Sequence, residues 1–262
     1  MEYQNIIYNI DNGIAKIILN YPEKLNPFNG TTINEVLEAV KQAEADKQVK
    51  VVIIGANGKS FSGGGDINAM YEGAKNNEEY IGDTVGPIGQ ISYTIKAMSK
   101  PVIGVVFGAV AGAAFNIALA CDFCFAAENS KFIQAFVNIG LIPDAGGLFL
   151  LSRAVGVNKA MQIALTGKIV TAEEGKNLGF VYQVCAAEEL MPAAEKLATK
   201  IAKGPGLSYA YMKELMFKSQ FTDMKDYLEL EAQRQTDCSH TEDYVEGITA
   251  FLEKRKAEFK GK

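Results

Sequence analysis

The sequence predicts an α/β domain with largely parallel strand pairing, followed by a helical C-terminal region. Three observations carry this. Apolar runs of strand length alternate with helical stretches through most of the chain, the order that builds βα units on a parallel sheet. Two glycine-rich turns, "GKSFSGGGD" at 58–66 and "GAVAGAA" at 108–114, follow strand-like runs. From about residue 186 the pattern is helical throughout. A chain of 262 residues has room for one sizeable domain and an appendage. The boundary is placed near 195, with a core over 1–195 and a helical region over 196–262.

Each element has its own warrant. Residues 5–10 and 13–20 ("IIYNID", "GIAKIILN") read as strands joined by a turn at Asn12-Gly13. A helix over 31–46 starts after Thr31-Thr32 and carries Ile33, Val36, Leu37 and Val40 on one face. Residues 49–56 form an apolar strand that leads into the glycine loop, and 66–98 is mixed helical. The run "PVIGVVFGAVAGAAFNIALAC" (101–121) has no formal charge and is long enough to raise a membrane span. Its β-branched residues cluster in the first third, and glycines stand at 104, 108 and 112. That texture predicts a buried strand near 102–107, a glycine turn and a buried helix from about 112. Another strand is expected at 122–127. Four helical segments follow from 186, the last running through "EDYVEGITAFLEKRKAEF".

Composition narrows the function classes. A net charge of −5 disfavours a nucleic-acid surface. The start "MEYQNIIYNIDNG" lacks a basic region followed by an apolar run, so a cytoplasmic protein without membrane attachment is expected. Cys121 and Cys124 form a C-x-x-C without a second pair, and the single histidine, His240, lies far off in sequence. Two buried thiols are the reading, and no metal site is expected. One histidine also argues against a Ser-His-Asp hydrolase.

The glycine turns are the chemically suggestive parts. "SFSGGGD" is neither a G-x-G-x-x-G fingerprint nor a Walker loop. It is either a tight turn or a place where main-chain N–H groups approach a ligand. "GAVAGAA" offers a second set of N–H groups at a helix N-terminus. Two such places invite an oxyanion reading, with both donors on one carbonyl oxygen. Asp144, in "FVNIGLIPDAGG" (136–147), is a lone carboxylate in an apolar stretch. After proline and before a helix it is a good cap. Helix N-terminus and apolar surroundings would pull its pKa in opposite directions.

"SFSGGGDI", "GAVAGAAFNIALACDFCFA" and "GLIPDAGGLFLLSRAVG", with "PEKLNPF" (22–28) and the tail "ITAFLEKRKAEF" (248–259), together resemble the crotonase (enoyl-CoA hydratase/isomerase) superfamily. The resemblance runs nearly end to end. It implies an α/β spiral of ββα units with a C-terminal helical trimerisation region, a homotrimer or homohexamer, and acyl-thioester chemistry without a bound cofactor. It puts Gly63 and Ala113 at the two oxyanion positions, within a loop whose Ser62, Gly64, Asp66 and Ile67 flank the substrate. Met70, Tyr71, Tyr80 and Ile88 are candidates for the acyl pocket. Lys24 and, from the tail, Phe251 and Lys254 match positions near the CoA pyrophosphate and adenine; the plain alternative is solvated surface charge.

The departures are informative. The two glutamates of the family's hydratases fall on Asn116 and Phe136, which exchange no proton near neutral pH. Asn116 is left to orient the acyl chain, to bond Asp144, or to be a satisfied buried amide. Asp144 falls where dienoyl-thioester isomerases of the family carry a catalytic aspartate. The resemblance therefore implies an enoyl-CoA or enoyl-acyl carrier protein isomerase that shifts a trans-2 double bond to position 3 with one aspartate as acid and base. The alternatives are a hydratase with atypical acids and a catalytically weak acyl-thioester-binding homologue.

Overall fold

Asn12 and Gly13 both take positive φ, 51° and 79°, the backbone a two-residue hairpin needs. They join β1 (Ile6–Asp11) to β2 (Ile14–Leu19) as an antiparallel pair in which Ile6 faces Leu19 and Asp11 faces Ile14. The structure, a computed structural model, describes residues 3–262. From β2 onward the large sheet is parallel. It adds β3 (Val51–Ala56), β4 (Val102–Val106), and then two strands from later in the chain, Phe123–Ala127 and Gln183–Cys185. A second sheet of three short strands, β5 (Ala109–Ala111), Lys131–Ile133 and Ile169–Thr171, stands beside it. In chain order those four later strands are β6 (Phe123–Ala127), β7 (Lys131–Ile133), β8 (Ile169–Thr171) and β9 (Gln183–Cys185).

Every residue of β3 is buried because both faces of the sheet are covered. Val52 and Ile54 pack with α1 (Gly30–Ala45) residues Val36 and Val40 in the main core. Val51 and Ile53, alternating to the other face, meet Leu190, Ala194, Ala198 and Ile201. Those four residues belong to one helix, Ala187–Ala202, which runs through the expected boundary at 195 and packs on the sheet along its length. The 101–121 run divides into β4, β5 and α4 (Ala113–Ala120). No helix among the described residues is long and apolar enough to cross a membrane. The mixed region resolves into α2 (Ile67–Asn76) and α3 (Tyr80–Ala97).

Three short helices lie between β7 and β9 in the chain: α5 (Gly147–Val155), α6 (Val157–Thr166) and α7 (Ala172–Leu178). The helix over 187–202 is α8. Beyond it, α9 (Gly206–Gln220) buries none of its residues and leaves Leu207, Tyr211, Leu215 and Met216 exposed. α10 (Met224–Ser239) returns to the core against α3. α11 (Glu242–Leu252) starts at a Thr241 cap and ends earlier than the sequence pattern suggested. The residues after it double back: Lys260 and Gly261 donate their N–H groups to the Asp243 carboxylate at 2.6 and 2.7 Å, and Arg255 pairs with Glu246. The basic tail thus closes over the start of α11 and does not extend that helix as a charge complement to its C-terminus.

Gly247 fixes how closely α11 can sit. A Cβ there would stand 2.5 Å from the Ile139 Cα and 2.7 Å from its carbonyl carbon, atoms of a 3-10 turn that cannot step aside. Gly247→Ala is therefore expected to lose about 1–3 kcal/mol of stability in urea unfolding. Gly30→Ala, at the start of α1 with nothing within 4 Å of the added carbon, is expected to gain about 0.4–1 kcal/mol.

Candidate active site

The cavity forms where the 58–66 loop, the β5–α4 corner and the 135–146 segment meet. Asn26 organises the first of these. Its side chain is buried, accepts the Tyr21 N–H at 2.8 Å and donates to the carbonyls of Asn57 and Phe61 at 2.9 and 3.2 Å. This ties "PEKLNPF" to the glycine loop. Gly63 then donates its N–H to the Leu25 carbonyl at 2.9 Å, and Gly64 donates to Ser62 Oγ at 3.1 Å. Gly64 needs its glycine: φ is 94°, and a Cβ would lie 2.9 Å from the Ala111 carbonyl oxygen.

The expected donor at Gly63 is corrected by this bonding. Its N–H is already spent on Leu25. The next cavity-lining N–H along the loop that meets no acceptor among the described residues is that of Gly65. Across the cavity the N–H of Ala113, the first residue of α4, is likewise unengaged, and Ala113 lines the same space. Gly112 makes the corner with φ 56° and donates its own N–H to Ile133. Two main-chain donors from two elements, one at a helix N-terminus, therefore face the cavity.

Asp144 also lines it. The helix that follows begins only at Gly147, with Gly146 in the cap position and no side-chain capping bond. The cap reading of Asp144 is thereby overturned. Its Oδ1 is shielded from solvent and has no hydrogen-bond partner. Burial pushes the carboxyl up to about 7, against a smaller pull downward from its own N–H. The Asp144 main chain is held firmly: Asn116 Nδ2 donates to its carbonyl oxygen at 2.8 Å, while Asn116 Oδ1 accepts from Gln134 at 2.6 Å. Asn116 is fully buried, does not line the cavity and supports the Asp144 main chain. Its neighbour Gly147 has no Cβ to collide with that amide.

The cavity walls are apolar, with Phe28, Ile67, Met70, Ile88, Phe136 and Leu141 among them. Its volume is about 60 Å³; a long acyl chain must displace flexible side chains. The Met70 methyl lies against Gly65, and methionine moves readily. Tyr80 also lines the space; its hydroxyl is buried without a partner, and burial pushes it up to about 12.

Other sequence candidates fall elsewhere. Ser62 is fully buried and serves the loop. Asp66 caps α2 through Asn68 and Ala69 N–H groups at 3.1 and 3.2 Å. Tyr71 packs outside the cavity lining. Lys24 lies over the Tyr21 ring, and Phe251 and Lys254 are exposed near the tail; none of the three lines the cavity of its own chain.

The helical pattern over α10 was expected, but the sequence reading missed what Glu231 and Gln235 on it do. Glu231 is buried, and its Oε1 accepts the Gly146 N–H at 2.9 Å. Gln235, one turn on, accepts the Ile142 N–H at 2.9 Å. Burial pushes Glu231 up to about 8, and the nearby Asp144 carboxyl adds to that. Tyr227, Glu231 and Gln235 recur every fourth residue. That polar stripe on an otherwise surface-like helix was the available signal.

Both carboxyls make stability fall as pH rises. Each binds its proton more tightly in the folded chain than in the unfolded one, whose values are 3.8 and 4.5. The contribution is complete below those values and is lost as pH rises through about 7 for Asp144 and about 8 for Glu231. Within that window each group lowers stability by about 1.4 kcal/mol per pH unit. Chemical unfolding from pH 5 to pH 8 is expected to show this slope, and Asp144→Asn and Glu231→Gln each to flatten it.

Comparison with known proteins agrees with this architecture. The family described as Enoyl-CoA hydratase/isomerase matches residues 9–262. A trans-2-decenoyl-[acyl-carrier-protein] isomerase of Streptococcus mutans serotype c is 42% identical, with 100% of both chains covered. A crotonyl-CoA hydratase of Syntrophomonas wolfei subsp. wolfei is 37% identical over 99% of each. The crystal structure of an enoyl-CoA hydratase from Mycobacterium avium subsp. paratuberculosis K-10 superposes with a TM-score of 0.89 at 32% identity, covering 99% of this chain and 100% of that one. The expected crotonase-type α/β fold is borne out; it is built as two sheets with C-terminal helices. By family match, full-length similarity and fold, the chain belongs to the enoyl-CoA hydratase/isomerase family, the crotonase superfamily.

Proposed function

We propose that the chain is an enoyl-thioester isomerase that moves a trans-2 double bond to position 3, with Asp144 as its single acid/base. One observation carries this reading: Asp144 is the only carboxyl side chain lining the cavity among the described residues. Asn116 and Phe136 occupy the positions where hydration would draw on two acids. The name of the Streptococcus mutans relative points the same way, while that of the Syntrophomonas wolfei relative stands for the hydratase alternative.

The chemistry needs one base on one face. Asp144, which ionises as pH rises through about 7, takes a Cγ proton from the enoyl thioester. Electron density moves onto the thioester oxygen, giving a dienolate held by the N–H groups of Gly65 and Ala113. Asp144 then returns the proton to Cα, and the double bond rests between Cβ and Cγ. A carboxyl near 7 suits both halves of that exchange. Phe136, packed against the Gly112 corner, keeps water from Cβ. The carrier is CoA or acyl carrier protein, and a matched assay with both thioesters identifies it.

The exposed apolar side chains of α9 favour a trimer or hexamer, in which Phe251 and Lys254 would reach a neighbour's thioester carrier and Lys24 that of its own subunit. Light scattering at micromolar concentration is expected to give three or six chain masses; a monomer would count against the assembly.

Asp144→Asn is expected to remove most turnover from a folded protein. In heavy-oxygen water, wild-type product should be the 3-enoyl isomer without solvent oxygen; labelled 3-hydroxyacyl product would establish hydration instead. Gly65→Pro, which deletes one donor, should lower kcat roughly a hundredfold or more.

A further inference from the structure

We propose that Glu231 is the positioning residue of this site, and that it and Asp144 form one buried carboxyl pair carrying a single negative charge, with Glu231 holding its proton while Asp144 moves one. The inference rests on the isomerase reading for its kinetic consequence only. Its geometry stands independently.

Glu231 is 4% exposed. Its Oε1 accepts the N–H of Gly146, two residues beyond Asp144, and its Oε2 has no hydrogen-bond partner. Asp144 Oδ1 is unpartnered too. Burial beside Asp144 holds the proton on Glu231, against the pull toward the anion from the Gly146 and Gly147 N–H groups and the Tyr227 hydroxyl. A second anion would leave two buried charges without a cation. The groups around Glu231 supply none. From the 140–147 loop come Asp144 and main-chain N–H groups; from its own helix come Tyr227 and Gln235. α3 presents Gly89 against Leu228 and Gly82 near Thr236. Arg153 of α5 acts on Tyr227, but it is stacked on the Phe149 ring, pairs with Asp223 and makes no bond to Glu231. Ionisation of the pair is accordingly sequential, Asp144 near 7 and Glu231 near 8.

The consequence is a window of activity. Below the first step Asp144 is protonated and cannot accept. Above the second, the Glu231 anion stands behind Asp144, holds the transferred proton on it and opposes the dienolate charge. Glu231 does not line the cavity, so it acts through Asp144 and its loop.

The test combines infrared carboxyl titration with pH–rate profiles on the full chain. In wild type two buried carboxyls should titrate in successive steps. In Asp144→Asn the remaining step, that of Glu231, should move to lower pH because its like-charged neighbour is gone. In Glu231→Gln, which keeps an acceptor for Gly146, the alkaline limb of the kcat/KM profile should disappear while the acid limb stays. In Glu231→Ala, which leaves Gly146 N–H unpaired, kcat should fall about tenfold or more with little change in KM. The proposal is overturned if the Glu231 step is at the same pH in wild type and Asp144→Asn, or if the alkaline limb persists in Glu231→Gln. Absence of isomerase turnover in wild type would remove the isomerase reading alone, since the infrared shift is read without substrate.

Discussion

A carboxyl with no partner beyond its own N–H, in an apolar cavity, has to be held there by its main chain, and the segment around Asp144 is built for that. Asn116 grips the Asp144 carbonyl from α4, Glu231 grips the Gly146 N–H and Gln235 the Ile142 N–H from α10. Three side chains from two helices thus fix a loop whose own functional group makes no bond through Oδ1. Had the same polar groups bonded the carboxylate itself, they would have stabilised the anion and drawn its pKa down. By bonding only the backbone they set its position and leave its basicity to burial.

The opposing wall follows the same logic with main-chain donors. A free N–H beside a ligand is available only if its neighbours in the loop are satisfied elsewhere. Leu25 and Ser62 take the N–H groups of Gly63 and Gly64, and the Gly64 carbonyl accepts from Phe28. What remains is Gly65, opposite the first N–H of α4. The contact of Gly64 with the Ala111 carbonyl brings the two loops together, so the parallel strand order of the large sheet and the short second sheet decide where the donors point.

Much of this was legible in the sequence, and the limits have physical causes. Strands of five or six residues with continuous apolar runs, β2 to β4 and β6, announce themselves. β5, β7, β8 and β9 are three residues each, too short for periodicity to register. The glycine loop was visible as a backbone-donor site, yet which of three consecutive glycines keeps its N–H free depends on partners at Leu25 and Ser62. No local pattern encodes those. Asp144 stood out because it was alone, but proline before it and glycines after it fit a cap equally well. Only the start of α5 at Gly147 separates the readings.

Glu231 was hidden for a different reason. α10 is among the more polar helices and reads as surface, and it lies in the region first set apart from the core. In the fold it crosses α3 and inserts Met224, Glu231 and Gln235 behind the 140–147 loop. Burying two acids without a cation is costly wherever it occurs, and the cost grows with pH as each is pressed to ionise. A chain selected for stability alone would place apolar side chains there. Polar residues at that depth, behind the loop that carries the cavity's carboxyl, fix that loop's main chain from the helical region. They give it a task beyond covering an apolar face.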